Sequence, residues 1–421
     1  MTATRPGVVI TGMGAVTSIG AGLHAYEAGL RSGACGVGEI DLFDASEYRS
    51  SVAGQIRDDV RTPELRSAAA SAGIHLTTRY GRTALFGVTS LAEALADAGL
   101  HRTDVADAGL VLGTCTAGTP EAECTLLDLP EGRDFWSTVP PRLLLTTPVG
   151  TTTDFLAHAA GIQGPLSTIS TACSSATNAV GLGALWIRAG RCSRVVVGGA
   201  DGLCRLTHSG FNCLSLVAPE RPLPFDARRQ GMVIGEGAGI LILEDERVAR
   251  ARGARIRGRV LGFGNISEAY HLVQPDPSGV GAQRAMAAAL RDAGVAPAAV
   301  QYINAHGTAT RHNDIAEARG VRRLLGDAAD DVPVSSTKSQ TGHLLGASGA
   351  VELVAALLGM ERGFIPPTAG WEQKDPEIDI DPVPGDARDG SYDLFLSNSF
   401  AFGGNDSSVC VASEHWDGPR A

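Results

Sequence analysis

Three residues that lie far apart along this chain could together carry out nucleophilic chemistry: Cys173, His306 and His343. Cys173 follows a short β-branched run, which is typical of a strand, and precedes residues 174–187, whose small side chains are typical of a buried helix. At a helix N-terminus, free backbone N–H groups and the helix dipole favour a thiolate over a thiol. A single cysteine of this kind is more often a small core residue, but the two histidines favour a nucleophile.

The histidines lie in settings rich in glycine and threonine. His306 belongs to NAHGTAT, just past a predicted strand, and His343 ends TKSQTGH, at the predicted start of a small-residue helix. Two neutral imidazole N–H groups can stabilise an enolate oxygen. Lys338 and Lys374 are the only lysines of the chain, so Lys338 marks a position that needs a compact ammonium. An ammonium beside the histidines would keep them neutral.

Other cofactor patterns are absent from the sequence. The histidine spacing does not fit HExxH, and His306 with His312 has no third ligand nearby, so no catalytic metal is expected. Gly12 and Gly14 lack the rest of a dinucleotide fingerprint. The eight cysteines form no CxxC pair, which predicts reduced thiols rather than a disulfide framework.

Composition indicates a globular enzyme. Hydrophobic residues make up 44% and charged residues 19% of the chain. The net charge of −11, without any basic run, argues against a nucleic-acid partner. No apolar run is long enough to span a bilayer, and the N-terminus has no signal-peptide pattern. We therefore expect a cytoplasmic protein without a membrane partner.

The order of segments in the first part of the chain is repeated in the second. The corresponding pairs are 8–12 with 255–264, 108–118 with 300–310, 169–190 with 337–363, and 193–201 with 392–406. Two copies of a strand–helix unit, each apolar enough to be covered on both faces, predict stacked sheets with buried helices between them. We expect an N-terminal half over 1–253 that carries the cysteine, a C-terminal half over 254–413 that carries the histidines and the lysine, and a tail over 414–421.

Several motifs resemble those of the β-ketoacyl-acyl-carrier-protein synthases. They are TACSS around Cys173, AHGTAT around His306, STKSQTGHLLGASGA around Lys338 and His343, NSFAFGGND at 398–406, PFDARRQGMVIGEGAG at 224–239 and EAYH at 268–271. The resemblance covers about residues 7 to 413 and is closest to the elongating branch, which uses Cys, His and His. It implies an α/β thiolase fold, with five αβαβα layers in two pseudo-symmetric halves, and a dimer.

The resemblance also implies roles for the central residues. Cys173 resembles the nucleophile that holds the acyl chain as a thioester. His306 and His343 resemble the pair that directs decarboxylation of a malonyl unit and its condensation. Lys338 resembles the lysine that orients this pair, with Glu317 as its expected salt-bridge partner.

A further group of residues is expected to bind the substrate. Thr308 and Thr310 resemble the threonines that bond the phosphopantetheine arm of an acyl carrier protein. Phe402 resembles the gating aromatic residue whose backbone N–H forms an oxyanion hole with that of Cys173. The acyl pocket is expected to be lined by Thr116, Phe211, Met232 and Phe402, and to accept an unusual or unsaturated chain.

The leading hypothesis is an enzyme that performs decarboxylative Claisen condensation in fatty-acid or type II, polyene-like polyketide synthesis, with an acyl carrier protein as partner and no cofactor of its own. One alternative is a non-catalytic chain-length subunit, although such subunits usually lack the nucleophile. A thiolase would need a second cysteine in a CxG setting, and Cys410 does not fit. A ketosynthase-like acyltransferase without decarboxylation stays open, as does the choice between a homodimer and a heterodimer with a chain-length subunit.

Overall fold

The computed structural model describes residues 6–77, 80–127, 145–380 and 382–418. Its strands are β1 (Val8–Thr17), β2 (Gly20–Ala21), β3 (Gly38–Glu39), β4 (Val52–Ala53), β5 (Gly109–Gly113), β6 (Leu166–Ile169), β7 (Arg194–Asp201), β8 (Gly237–Asp245), β9 (Gly258–Ser267), β10 (Tyr302–Asn304), β11 (Val334–Ser335), β12 (Phe364–Ile365), β13 (Arg388–Asp389), β14 (Leu394–Ala401) and β15 (Asn405–Ala412). Its α-helices are α1 (Leu23–Arg31), α2 (Pro63–Ala72), α3 (Arg82–Asp97), α4 (Thr119–Leu127), α5 (Thr151–Ala160), α6 (Ser175–Arg188), α7 (Arg205–Cys213), α8 (Glu246–Ala251), α9 (Val280–Ala293), α10 (Arg311–Leu325), α11 (Lys338–Thr341) and α12 (Ser348–Arg362).

The central sheet consists of two halves with the same pairing pattern. The first half has the order β6-β5-β7-β8-β1 and the second the order β11-β10-β14-β15-β9. In each half the first two ladders are parallel and the last two antiparallel. The halves join where Val9 and Ile10 of β1 pair with Arg259 and Gly258 of β9. The two-fold repetition expected from the sequence is therefore present in the strand order.

Helices cover both faces of each half. Helix α3 packs on β1, β7 and β8, whereas α9 packs on β9 and β15, and α10 on α9. Between the halves lie α6 and α12, each in contact with strands of both. Close packing of this middle layer depends on Gly181 and Gly183 of α6, because a Cβ there would lie only 2.5 Å from Phe263 and 2.3 Å from Val197. The result is the five-layer arrangement that the sequence predicts.

The ends of three strands bring the candidate site residues together. The chain leaves β6 into the turn that holds Cys173, leaves β10 into the loop that holds His306, and leaves β11 into α11, which begins at Lys338. Parallel strands end at the same edge of a sheet, so the loops after them are neighbours. One element differs from expectation: the small-residue helix begins at Ser348, and His343 lies in the loop before it.

None of the helices in the described residues is both long and apolar enough to cross a bilayer. The division of the chain at residue 253 stays a prediction.

Candidate active site

Cys173 lies in the tight turn between β6 and α6 and is 5% exposed. The residue before it, Ala172, has φ 52°, a left-handed conformation that is costly for a residue with a side chain. The Ser175 hydroxyl holds the turn, since it donates to the Ala172 carbonyl oxygen at 2.6 Å and accepts the Thr171 N–H at 2.9 Å. Backbone strain of this kind is typical of functional sites, and no sequence pattern predicts it at an alanine.

His343 is the nearest imidazole to the sulfur, with Nε2 3.0 Å from Sγ of Cys173. The Leu345 N–H donates to the other ring nitrogen, Nδ1, at 3.2 Å, and the Ser348 hydroxyl lies 2.8 Å from it. An N–H can donate only to an unprotonated nitrogen, so the proton of the neutral ring is on Nε2. His343 therefore directs an N–H donor towards Cys173.

His306 has the same tautomer for a different reason. The Lys338 ammonium lies 3.3 Å from Nδ1 of His306, 2.6 Å from its carbonyl oxygen and 2.5 Å from Oε1 of Glu352. These three acceptors match the three N–H bonds of an ammonium, so Nδ1 accepts and Nε2 carries the proton. The two rings are 5.4 Å apart at 82°, and together they provide two N–H donors beside one sulfur.

The structure corrects the expected partner of Lys338. The carboxylate that binds the ammonium belongs to Glu352 of α12, which lies in the middle layer beside it. Glu317 of α10 lies on the other side of the His306 loop and accepts the backbone N–H groups of His306 and Gly307 at 2.8 and 2.7 Å. Glu317 therefore fixes the backbone of the loop rather than the lysine. Glu352 could have been found in the sequence, because it is the one charged residue in the run 348–360.

Electrostatics keep both rings neutral. Burial lowers the pKa of His306 well below its usual value, and Lys338 and then His343 lower it further. Burial and Lys338 likewise lower the pKa of His343. A neutral imidazole keeps an N–H donor without adding a positive charge to the site.

Cys173 differs from the expectation of a stabilised thiolate. Burial raises the pKa of Cys173 to about 11, although Lys338 and the backbone N–H groups of Cys173 and Phe402 act in the opposite direction. The cost of desolvating the anion exceeds the effect of the helix N-terminus, so the resting group is a thiol. The same two N–H groups form the pair that the sequence analysis assigned to an oxyanion hole.

Alkylation tests whether Cys173 rests as a thiol. The rate at which iodoacetamide alkylates Cys173 should keep rising to about pH 10, because the thiolate fraction grows until the pH reaches the pKa. The rate is read from the labelled Cys173 peptide by mass spectrometry. Lys338→Met should move the rise to still higher pH. A plateau at or below neutral pH would instead mean that the turn stabilises a thiolate.

A cavity of about 470 Å³ ends at this cluster. Cys173, His306 and His343 line its buried end, whereas Arg311, whose side chain is 76% exposed, lines its mouth. Thr308 and Thr310 lie between them, with their hydroxyl oxygens 2.9 Å apart. The cavity thus connects the buried cluster with solvent, and its lining includes hydroxyl groups that can bond a substrate.

Two of the four residues expected around the acyl chain line this cavity, and the acyl pocket itself stays a prediction. Met232 and Phe402 line the cavity, but Thr116 and Phe211 do not. The Phe211 ring packs against the Phe402 ring at 5.7 Å, so Phe402 separates it from the cavity. Thr116 turns its hydroxyl to Asp201, a buried carboxylate that also binds the Gly346 N–H.

Thr116 is therefore expected to act on stability rather than on chain length. Thr116→Val should lower the free energy of unfolding by about 1–3 kcal/mol, because buried Asp201 loses a donor. Thr116→Ser keeps the hydroxyl and serves as the matched control. The measurements are thermal unfolding and the chain-length profile of the products. A changed chain-length profile with an unchanged free energy of unfolding would mean that Thr116 lines the acyl pocket.

The Cys173, His306 and His343 cluster also has the residue types of a metal site. One ligand atom from each residue lies within 4.8 Å of the others, which a small cation could bridge. The protons on both Nε2 atoms and the Lys338 ammonium 3.3 Å from His306 oppose a cation there. That the chemistry needs no metal stays a prediction.

Comparisons with known proteins agree with this geometry. The family model for the Beta-ketoacyl synthase N-terminal domain matches residues 5–249, and that for the C-terminal domain matches residues 257–372. The chain is 38% identical to 3-oxoacyl-[acyl-carrier-protein] synthase 2 of Synechocystis sp., over 94% of this chain and 96% of the relative. It is also 38% identical to the ketoacyl synthase alpha subunit of the tetracenomycin polyketide synthase of Streptomyces glaucescens, over 96% of each.

Solved structures with the same fold include two assemblies. The ishigamide ketosynthase/chain length factor has a TM-score of 0.89 and 33% identity, over 97% of this chain and 100% of the other. A type II polyketide ketosynthase solved with its acyl-carrier protein and bound to the hexaketide has a TM-score of 0.87 and 27% identity, with the same coverage.

Proposed function

This chain belongs to the β-ketoacyl synthase family, and from that premise we propose that Cys173 receives an acyl chain and that His306 and His343 direct its condensation with a malonyl unit. The protein is an acyl-transferring condensing enzyme that elongates chains in fatty-acid or polyketide synthesis. The observation that carries the residue assignment is the pair of Nε2–H donors beside one buried sulfur.

In the first step the Cys173 sulfur attacks the carbonyl carbon of an acyl thioester. The thiol proton leaves, a new sulfur–carbon bond forms, and the carrier thiol departs with a proton. The negative charge on the carbonyl oxygen is stabilised by the N–H groups of Cys173 and Phe402, both of which lie beside the Cys173 sulfur. A buried thiol is a suitable resting form, because it becomes charged only when the substrate is present.

In the second step a malonyl thioester occupies the cavity that the first carrier has left. Its carbon–carboxylate bond breaks, CO₂ departs, and the electron pair remains as an enolate. The enolate oxygen accepts from Nε2–H of His306 and of His343, which need no reorganisation because both tautomers are preset. The enolate carbon then bonds to the acyl carbonyl carbon, and the Cys173 sulfur leaves as the thiolate.

The substrates should arrive on an acyl carrier protein. A phosphopantetheine arm fits a narrow cavity in which Thr308 and Thr310 offer hydroxyl groups along its length. Carrier proteins are acidic, and Arg311 is an exposed cation at the mouth. Relatives solved as ketosynthase assemblies support a second subunit of the same fold, identical or of the chain-length type.

The decisive experiment combines an acyl-carrier protein with a malonyl-carrier protein. Intact-protein mass spectrometry should show the acyl mass on Cys173, and released CO₂ should match the elongated product in amount. Loading and transfer without CO₂ would indicate an acyltransferase. Absence of loading on correctly folded protein would indicate a chain-length subunit.

A further inference from the structure

Two carboxyl groups beside the Phe402 loop play no part in the steps above. They belong to Asp406, in β15, and Glu268, which directly follows β9, and both line the cavity. A Cβ on Gly281 of α9 would lie 2.0 Å from Oε1 of Glu268 and 2.9 Å from Oδ2 of Asp406. Both oxygens therefore converge on the space that the missing side chain leaves free.

Their surroundings compensate two negative charges only in part. Asp406 is 4% exposed, and burial and then Glu268 raise its pKa to about 8. Burial raises the pKa of Glu268, as does the charge of Asp276, whereas the Asp276 N–H, which donates to Oε2 of Glu268 at 3.0 Å, and Arg284 of α9 act against them. From α10, Glu317 adds a further negative charge near Asp406. His271, in the loop after Glu268, lines the same cavity and accepts the N–H groups of Val273 and Gln274 on Nδ1.

Both residues are bound to the loop that holds Phe402, Asp406 through its carboxyl group and Glu268 through its backbone. Asp406 accepts the backbone N–H of Ala401, directly before Phe402. The Glu268 N–H donates to the Gly404 carbonyl oxygen at 2.7 Å, and the Gly403 N–H donates to the Leu272 carbonyl oxygen at 2.8 Å. The segment 268–272 and the loop 402–404 are therefore bound to each other on both sides of Gly403.

We propose that Glu268 and Asp406 share one proton, and that loss of this proton releases the Phe402 loop, so that acyl loading depends on pH. Asp406 lies in a strand paired on both sides, so it cannot move away. Glu268 lies beyond the last residue of β9 and can move. When both groups are ionised, repulsion displaces Glu268 together with segment 268–272, and the hydrogen bonds to Gly403 and Gly404 carry the loop with it.

The direction of the effect follows from this geometry. With the proton in place, one carboxyl donates to the other, the two segments stay together, and the Phe402 ring remains against Phe211. When the proton is lost, the Phe402 ring moves away from Phe211 and opens the space beyond Cys173 to an acyl chain. The inference rests on the proposed function and on the gating role that the family resemblance implies for Phe402.

The experiment compares two reactions of Cys173 in the full-length protein between pH 6.5 and pH 8.5, a range that includes the pKa of about 8 that burial and Glu268 give Asp406. One is acylation by the octanoyl thioester of N-acetylcysteamine, which needs space beyond the sulfur. The other is alkylation by iodoacetamide, which needs only access to the sulfur. The ratio of the two rates removes the ionisation of the thiol itself.

In the unmodified protein the ratio should rise at least about fivefold across this range, as expected for one titrating group. Asp406→Asn should give a flat ratio, because an amide bonds to Ala401 and Glu268 at every pH. Glu268→Gln should also give a flat ratio, and it replaces Asp406→Asn as the test if that variant does not fold. Asp379→Asn, which removes an exposed carboxylate of similar size, should leave the rise unchanged.

A flat ratio in the unmodified protein, or a rise that persists in Asp406→Asn and Glu268→Gln, would overturn the shared proton. Normal alkylation without acylation at any pH would overturn the proposed function as well, so the two failures are distinct.

Discussion

Replacing Cys173 by alanine is expected to abolish chain elongation while the protein continues to release CO₂ from a malonyl-carrier protein. The sulfur is the only atom of the site that forms the acyl thioester in our account, so its loss removes loading completely. The two Nε2–H donors are set by Lys338, Leu345 and Ser348, which the substitution leaves in place. Enolate stabilisation should therefore survive without the nucleophile.

The matched variant is His306→Ala, which is expected to keep acyl loading and to lose CO₂ release, the reverse of Cys173→Ala. Octanoyl loading of Cys173 should persist, because His343 remains 3.0 Å from the sulfur, whereas CO₂ release should fall by about 10²–10³-fold for the loss of one oxyanion donor. Both reactions are measured on each variant, by intact mass and by trapped CO₂. Equal loss of both reactions in both variants would contradict separate roles for the sulfur and the imidazoles.

The second large effect is expected at Lys338. In Lys338→Met, Glu352 stays buried without its cation, and breaking a buried ion pair in this way costs about 3–5 kcal/mol of unfolding free energy. CO₂ release should also be lost, because Nδ1 of His306 loses the donor that fixes its tautomer. Chemical denaturation measures the first effect and trapped CO₂ the second.

The double variant Lys338→Met with Glu352→Leu separates these two effects. Removing both charges should restore most of the stability, since no buried charge remains unpaired. CO₂ release should stay low, because a methionine cannot donate to His306. Recovery of activity together with stability would mean that Lys338 acts only through folding.

The arrangement of the site follows from the repeated architecture. Each half of the sheet ends its parallel strands at the same edge, and the middle helices α6 and α12 bring the two edges together. The first half supplies the nucleophile from the turn before α6. The second supplies the imidazoles and the lysine from the loops after β10 and β11. A condensing site in this chain therefore requires both halves.

Much of the fold and the grouping of the site residues could be predicted from the sequence, because the patterns that indicate them are local or repeated. Apolar runs mark the strands, and the internal repetition pairs the Cys173 turn with the loop before α12. Runs of small residues mark α6 and α12, and in α6 a side chain at Gly181 or Gly183 would meet Phe263 or Val197 of the neighbouring strands. The grouping of Cys173, His306 and His343 follows from that symmetry.

Other features could not be predicted, since they depend on side-chain direction and depth. Glu317 and Glu352 are both buried acidic residues of helices. The isolated charge of Glu352 can be noticed in the sequence, but only the three-dimensional arrangement shows that Lys338 binds Glu352 and not Glu317. Thr116 follows β5 at the edge of the sheet where the Cys173 turn also lies, yet its hydroxyl donates to Asp201 and not into the cavity. The helix N-terminus at Cys173 favours a thiolate, but burial has the larger effect, and burial is not a local property of the sequence.

The most direct test of the account is the crystal structure of the protein after loading with an octanoyl chain. The account predicts a thioester on Sγ of Cys173 whose carbonyl oxygen accepts the backbone N–H groups of Cys173 and Phe402, with Nε2 of His306 and of His343 free to face the cavity. An octanoyl group on another residue, or a carbonyl oxygen bound elsewhere, would contradict it.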